Sequence, residues 1–168
     1  MTESLPNDPN GLSTGVQLHF RPTFERMIPN RSIPSSTVIP VLIYPDVRAA
    51  VAWLAAAFGF EERLRIGDGH RSQLAVGDDG AVIAADVRGD RVPPSPGTIT
   101  QYVLVRVPDV AAHHRRAVEH GARILMAPTD FEYGERQYTA EDLAGHQWMF
   151  TETLADIDPA AWGGELMG

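Results

Sequence analysis

The sequence predicts an α+β fold: tandem βαβββ modules forming a curved mixed sheet, with a concave cup and helices outside. Three observations predict it. "VIPVLIYPDV" (Val38–Val47) and "TQYVLVRVPDV" (Thr100–Val110) are both apolar, largely β-branched runs that close on Pro-Asp-Val. Such runs favour strands, and the Asp that ends each can cap a helix. Each run is followed by a helical stretch that stops at a glycine, Gly59 in one case and Gly121 in the other. Each helix is then followed by three short strand candidates separated by turn residues. One such unit leaves a face of its small sheet uncovered. Two side by side make a larger sheet with a cavity where a ligand would sit.

The elements follow in order. Residues 1–36 are rich in Pro, Asn, Ser and Thr and read as an arm or leader, with "GVQLHF" (Gly15–Phe20) as a possible edge strand. Residues 37–92 form the first module. Pro40 puts its first strand at an edge or at a module boundary. Asp46 caps the helix, Val47, Val51, Leu54 and Phe58 share one helix face, and Gly59 ends it. "EERLRI", "RSQLAVG" and "AVIAADV" supply the remaining strands, divided by "GDG" and "GDDG". Residues 93–97 are a Pro-rich linker. Residues 98–155 repeat the pattern, with "RILMAP", "ERQYTAED" and "HQWMFTE" as strands, and 156–168 are a C-terminal tail.

Composition narrows the function classes. The chain has 168 residues, is 43% hydrophobic and carries a formal charge of −8. An acidic surface argues against nucleic acid or an anionic membrane as partner, because both need clustered Lys and Arg. Cysteine is absent, so disulfides, thiolate ligands and a cysteine nucleophile are excluded. The acidic N-terminus has no apolar core of a signal peptide, and no apolar run is long enough to span a membrane. A cytoplasmic protein is the expectation.

The repeated strand–Pro-Asp-Val–helix–Gly unit resembles the vicinal-oxygen-chelate superfamily, which includes glyoxalase I, bleomycin-resistance proteins and extradiol dioxygenases. The closing "YGER…EDLAGHQWMF" (Tyr133–Phe150) is similar to the ending of PhnB-like, bleomycin-resistance-type members. In metal-using members, the resemblance implies ligands from the first and last strands of each module. The corresponding positions here are Ile39, Ala84 or Ala85, Tyr102 and Met149, with Asp86 and Gln101 adjacent. None of the four is a good ligand for a divalent transition metal. The resemblance therefore implies no metal and no cofactor. It points to a homodimer that holds a small organic molecule, an antibiotic or metabolite. The alternative is a metal-dependent lyase, isomerase or dioxygenase with relocated ligands His70, Asp86 and His146.

Strand alternation gives the candidate cup residues: Ile39, Val41, Tyr102, Leu104, Arg106, Tyr138, Gln147 and Met149. His146, Trp148 and Phe150 then face the core, with His146 donating to a backbone carbonyl. Glu135 and Arg136 read as a hairpin ion pair, and His113 and His114 as part of a solvated helix face.

Overall fold

The computed structural model describes residues 28–95 and 97–167; "GVQLHF" lies outside the described residues. Each module has the expected order. The first is β1 (Val41–Tyr44), α1 (Val47–Phe58), β2 (Glu61–Ile66), β3 (Arg71–Val76) and β4 (Gly80–Asp86). The second is β5 (Val103–Arg106), α2 (Val110–Glu119), β6 (Arg123–Phe131), β7 (Glu135–Glu141) and β8 (Gln147–Thr153). A 3₁₀ turn, η1 (Pro159–Trp162), follows in the tail.

The helices begin and end for the reasons the sequence gives. Asp46 accepts from the Ala49 amide at 2.9 Å, and Asp109 from the Ala112 amide at 2.8 Å. Each satisfies an amide that the first turn leaves without a partner. Gly59 stops α1 at φ +77°, a conformation that costs other residues steric strain. Val47, Val51, Leu54 and Phe58 are all buried, as their spacing requires.

The sheet is divided. Strand orders are β1-β4-β3-β2 and β5-β8-β7-β6, with β1 parallel to β4 and β5 parallel to β8. Among the described residues no ladder joins the two sheets, so β1 and β5 are both free edges. Each helix covers one face of its own sheet. The two helices also meet: Arg116 donates from Nε to the Ala56 carbonyl at 2.7 Å, and Trp53 donates to the His120 carbonyl at 2.8 Å. Phe58, at the end of α1, packs on Trp148 and Phe150 of β8. The helix-covered faces of both sheets thus share one core, and the opposite, open faces turn outward.

One buried carboxylate ties the modules together. Asp142, in the β7–β8 turn, accepts from Tyr44 Oη at 2.7 Å and from Trp148 Nε1 at 3.1 Å through one oxygen. Its other oxygen accepts from the Ala144 and His146 amides. Burial first, and then the carboxylate beside it, push the Tyr44 phenol well above its ordinary pKa.

The open face of the first sheet is covered by the chain itself. Ile39 packs with Ile43, Ile83 and Ala85 in a small separate cluster. Gln73 is buried and donates to the Ser32 carbonyl at 2.8 Å, and Arg63 donates to the Arg31 carbonyl at 3.1 Å. Ser36 donates to the Asp79 carbonyl at 2.6 Å. Residues 30–39 therefore run across this face as a strap.

Candidate functional site

The open face of the second sheet is exposed toward β5 and closed at its polar end, where Gln137 and Thr151 are buried, and its register sets out rows of side chains. Leu104 lies beside Met149, which lies beside Thr139. Arg106, Thr151 and Gln137 form the next row. Gln147 pairs with Glu141. Polar groups interlock at one end. Glu135 Oε2 accepts from Gln137 Nε2 at 2.8 Å and from Thr151 Oγ1 at 2.5 Å. Gln137 Oε1 accepts from Tyr133 Oη at 3.2 Å. Partial burial raises the Tyr133 phenol above its usual pKa, with the Glu135 carboxylate and then Tyr102 adding to the shift. Tyr133 thus stands protonated as a donor at neutral pH. Leu104 on edge strand β5 and Tyr102 just before it are each 53% exposed, which is high for large apolar-bodied side chains.

The candidate cup residues fall into three groups. Leu104, Arg106, Gln147 and Met149 lie on the second open face, with Tyr102 just before β5 at its edge. Ile39 and Val41 lie on the first open face, Val41 45% exposed and Ile39, at the end of the strap, packed against Ile43, Ile83 and Ala85. Along the seam between β1 and β5, Val41, Tyr102 and Gln147 line one cavity of about 340 Å³. Leu104 and Arg106 line another of about 810 Å³, with Val38 and the β3–β4 turn.

Tyr138 is the correction. It is fully buried in the shared core, its ring stacked on Phe150 at 5.0 Å and its hydroxyl 2.5 Å from His113 Nδ1. The parity of "ERQYTAE" carries the signal for this placement. Tyr138 and Ala140 are the apolar members and face the helix, so Glu135, Gln137 and Thr139 face out. Gln137 and Glu135, on the opposite face from Tyr138, form the polar end of the site with Tyr133. His113 is corrected with it. It is no solvated helix residue, because its Nε2 lies 3.1 Å from the Phe58 carbonyl and its ring packs on Phe150. Burial first, then Arg116, hold its pKa below that of a free histidine.

Other sequence readings resolve plainly. His146 Nε2 lies 2.8 Å from the Ile43 carbonyl, and Trp148 is fully buried. Arg136 pairs with Asp130 at 2.5 Å instead of Glu135, because the two lie opposite each other in the β6–β7 ladder. His70 pairs with Asp86 at 2.9 Å, while His146 is engaged at β1. Among the described residues no three His, Asp or Glu side chains gather as a metal would require.

Register also refines the family's metal positions. Leu104 pairs with Met149 as Val41 pairs with Ile83, so Ile83 occupies the first-module counterpart of Met149. Ala84 faces the core, and Ala85 lies beside Ile43. Ile39, Ile83, Tyr102 and Met149 offer no donor set that fits a divalent metal.

Comparison with known proteins agrees with this architecture. No curated protein sequence matches the chain. TioX from Micromonospora sp. ML1 is 36% identical over 71% of this chain and 99% of its own, with a TM-score of 0.60. A glyoxalase/bleomycin resistance protein from Streptomyces sp. CB03234 is 22% identical over 68% and 97%, TM-score 0.55. A glyoxalase/bleomycin resistance protein/dioxygenase from Nocardioides is 16% identical over 89% and 97%, TM-score 0.60. The last two share the fold alone. No described helix is long and apolar enough to cross a membrane. The family model "Glyoxalase/Bleomycin resistance protein/Dioxygenase superfamily" matches residues 37–150, and the chain belongs to that superfamily.

Proposed function

We propose that this protein binds a small organic molecule without a metal, and does so as a homodimer. The observation that carries the reading is the second open face. It combines an apolar strip, exposed Tyr102 and Leu104 beside half-buried Met149, with hydrogen-bonding groups on Arg106 and Tyr133. That mixture suits a ligand of mixed polarity. The side chains at the family's metal positions supply no Lewis acid site, so binding is favoured over metal-assisted turnover. The relocated ligand set fares no better, since His70 and Asp86 pair with each other and His146 is engaged elsewhere.

The dimer is supported by the free edges. Val38, Val41, Tyr102 and Leu104 expose apolar surface along β1 and β5. Unpaired edges with exposed apolar side chains invite a second chain. Since the open faces of one chain turn outward, an enclosed cup needs a face from each of two copies.

A thermal-shift screen of organic compounds tests the binding reading. Stabilisation that grows with compound concentration is the expected result. Stoichiometric divalent metal in protein purified without chelator would overturn the metal-free part, and a monomer in sedimentation would overturn the dimer.

A further inference from the structure

We infer that the strap and the first sheet together form a further binding site, for an apolar molecule that carries a carboxylate. This site is separate from the second open face and does not depend on what binds there.

The groove is built largely by residues outside the matched family span. It measures about 840 Å³ and runs between the strap, with the residues just before it, and strands β2 and β3. Most of its lining precedes residue 37, where the family match begins. Pro34 is buried and seats the strap. Ile33, Ile39 and Ala75 give the groove apolar walls. Ile33 is 50% exposed, so a large aliphatic side chain is left half in water at the groove. Covering it with an apolar ligand removes that surface from water and favours binding.

Among the described residues, Arg31 from the strap and Arg63 from β2 are the only charged side chains on this lining. The β2–β3 ladder explains Arg63. Its register slips between Glu62 and Leu64, which makes Arg63 the extra residue of a β-bulge. A bulge re-aims a side chain that strict alternation would send to the other face. Glu62 faces α1 and pairs with Arg48, and it also takes Arg65. Arg63 turns instead to the open face, where it donates to Gln73 Oε1 and to the Arg31 carbonyl. Gln73 is buried and tied to the Ser32 carbonyl, so the guanidinium is held from behind. Only part of its donor fork is used, and on neutral oxygens. Among the described residues neither Arg63 nor Arg31 forms an ion pair, although the chain carries a net charge of −8. A guanidinium with open donors at the rim of an apolar groove selects a carboxylate on an apolar body. The carboxylate accepts from Arg63 and Arg31, and the body lies along Ile33, Ile39 and Ala75.

The test uses the full-length protein and 11-(dansylamino)undecanoate, whose emission rises in apolar surroundings. Octanoate, 1-octanol and octylammonium share one alkyl body and compete for it. Octanoate is expected to displace the probe at the lowest concentration and octylammonium at the highest. Arg63→Ala is expected to weaken octanoate about tenfold, the worth of a charge-assisted hydrogen bond, and to leave 1-octanol within about twofold. Arg63→Lys should recover part of the preference through charge alone. Arg123→Ala, which removes an arginine far from the groove in sequence and on the other sheet, should change nothing, and so separates the groove from net charge. Equal loss of octanoate and 1-octanol in Arg63→Ala would mean that Arg63 only holds the strap, and would overturn carboxylate recognition. Equal competition by the three octyl compounds would overturn it too. Loss of octanoate in Arg106→Ala but not in Arg63→Ala would put the ligand on the second face, overturning this site and leaving the earlier proposal standing. No binding of the probe or of octanoate would overturn the site outright; a changed sedimentation coefficient in Arg63→Ala would then give the groove to a second copy.

Discussion

The two open faces derive from one repeated plan and have become opposites. The first is apolar, with Ile39, Ile43, Ile83 and Ala85 packed together and a strap of the same chain across it. The second is polar, with Glu135, Gln137 and Thr151 interlocked at a buried end and Leu104 and Tyr102 exposed at the other. The difference teaches where specificity can reside. On the first face a ligand would meet the strap together with Arg63 and Ala75, which line a cavity of about 840 Å³, while the second face offers side chains of several chemistries.

The same substitution at register-equivalent positions breaks this comparison most directly. Ile83→Glu would put an unpaired carboxylate under the strap and cost about 3 kcal/mol or more, read as a lowered urea midpoint. Met149→Glu, on the second face, is expected to cost under about 1 kcal/mol. Similar losses at both sites would mean that the faces are equally closed. A second variant tests what the faces share. Asp142→Ala strips the partner from Tyr44 Oη, Trp148 Nε1 and two amides, and should destabilise by roughly 2–3 kcal/mol in chemical denaturation.

His113 gives a pH dependence that belongs to the shared core and to neither face. Its folded pKa is depressed, so between that value and the unfolded value near 6.5 the unfolded chain binds more protons. Stability therefore rises with pH through this window and is lost as pH falls below about 6.5. Denaturation midpoints at a series of pH values check the sign, and His113→Phe should flatten the slope. The smallest effect is expected at the exposed rim. Arg123→Ala removes an ion pair to Glu141 and should leave the denaturation midpoint essentially unchanged.

Local features were legible in the sequence because local physics decides them. Asp46 and Asp109 announce the caps, Gly59 a left-handed stop, and the spacing of Val47, Val51, Leu54 and Phe58 a buried helix face. The non-ligating Ile39, Tyr102 and Met149 follow from counting along the repeat. Tyr138 failed because alternation gives two faces without saying which is the inner one, and an amphipathic tyrosine suits both. His113 failed because helical periodicity cannot register a second helix packed across the first. The strap was hidden for a related reason. Residues 30–39 have no periodic pattern of their own, and their carbonyls, bonded by Gln73 and Arg63, carry no side-chain signature.

Asp142 has a consequence for how the molecule comes apart. Its four hydrogen bonds draw on both halves of the chain, and the layer they sit in is the interior of each half. The duplicated sequence therefore does not give a duplicated melting curve. Calorimetry is expected to show one transition, with calorimetric and van't Hoff enthalpies equal. Two polypeptides cut at the linker should each stay unfolded alone and regain structure only when mixed. Duplication multiplied the pattern but left a single cooperative unit.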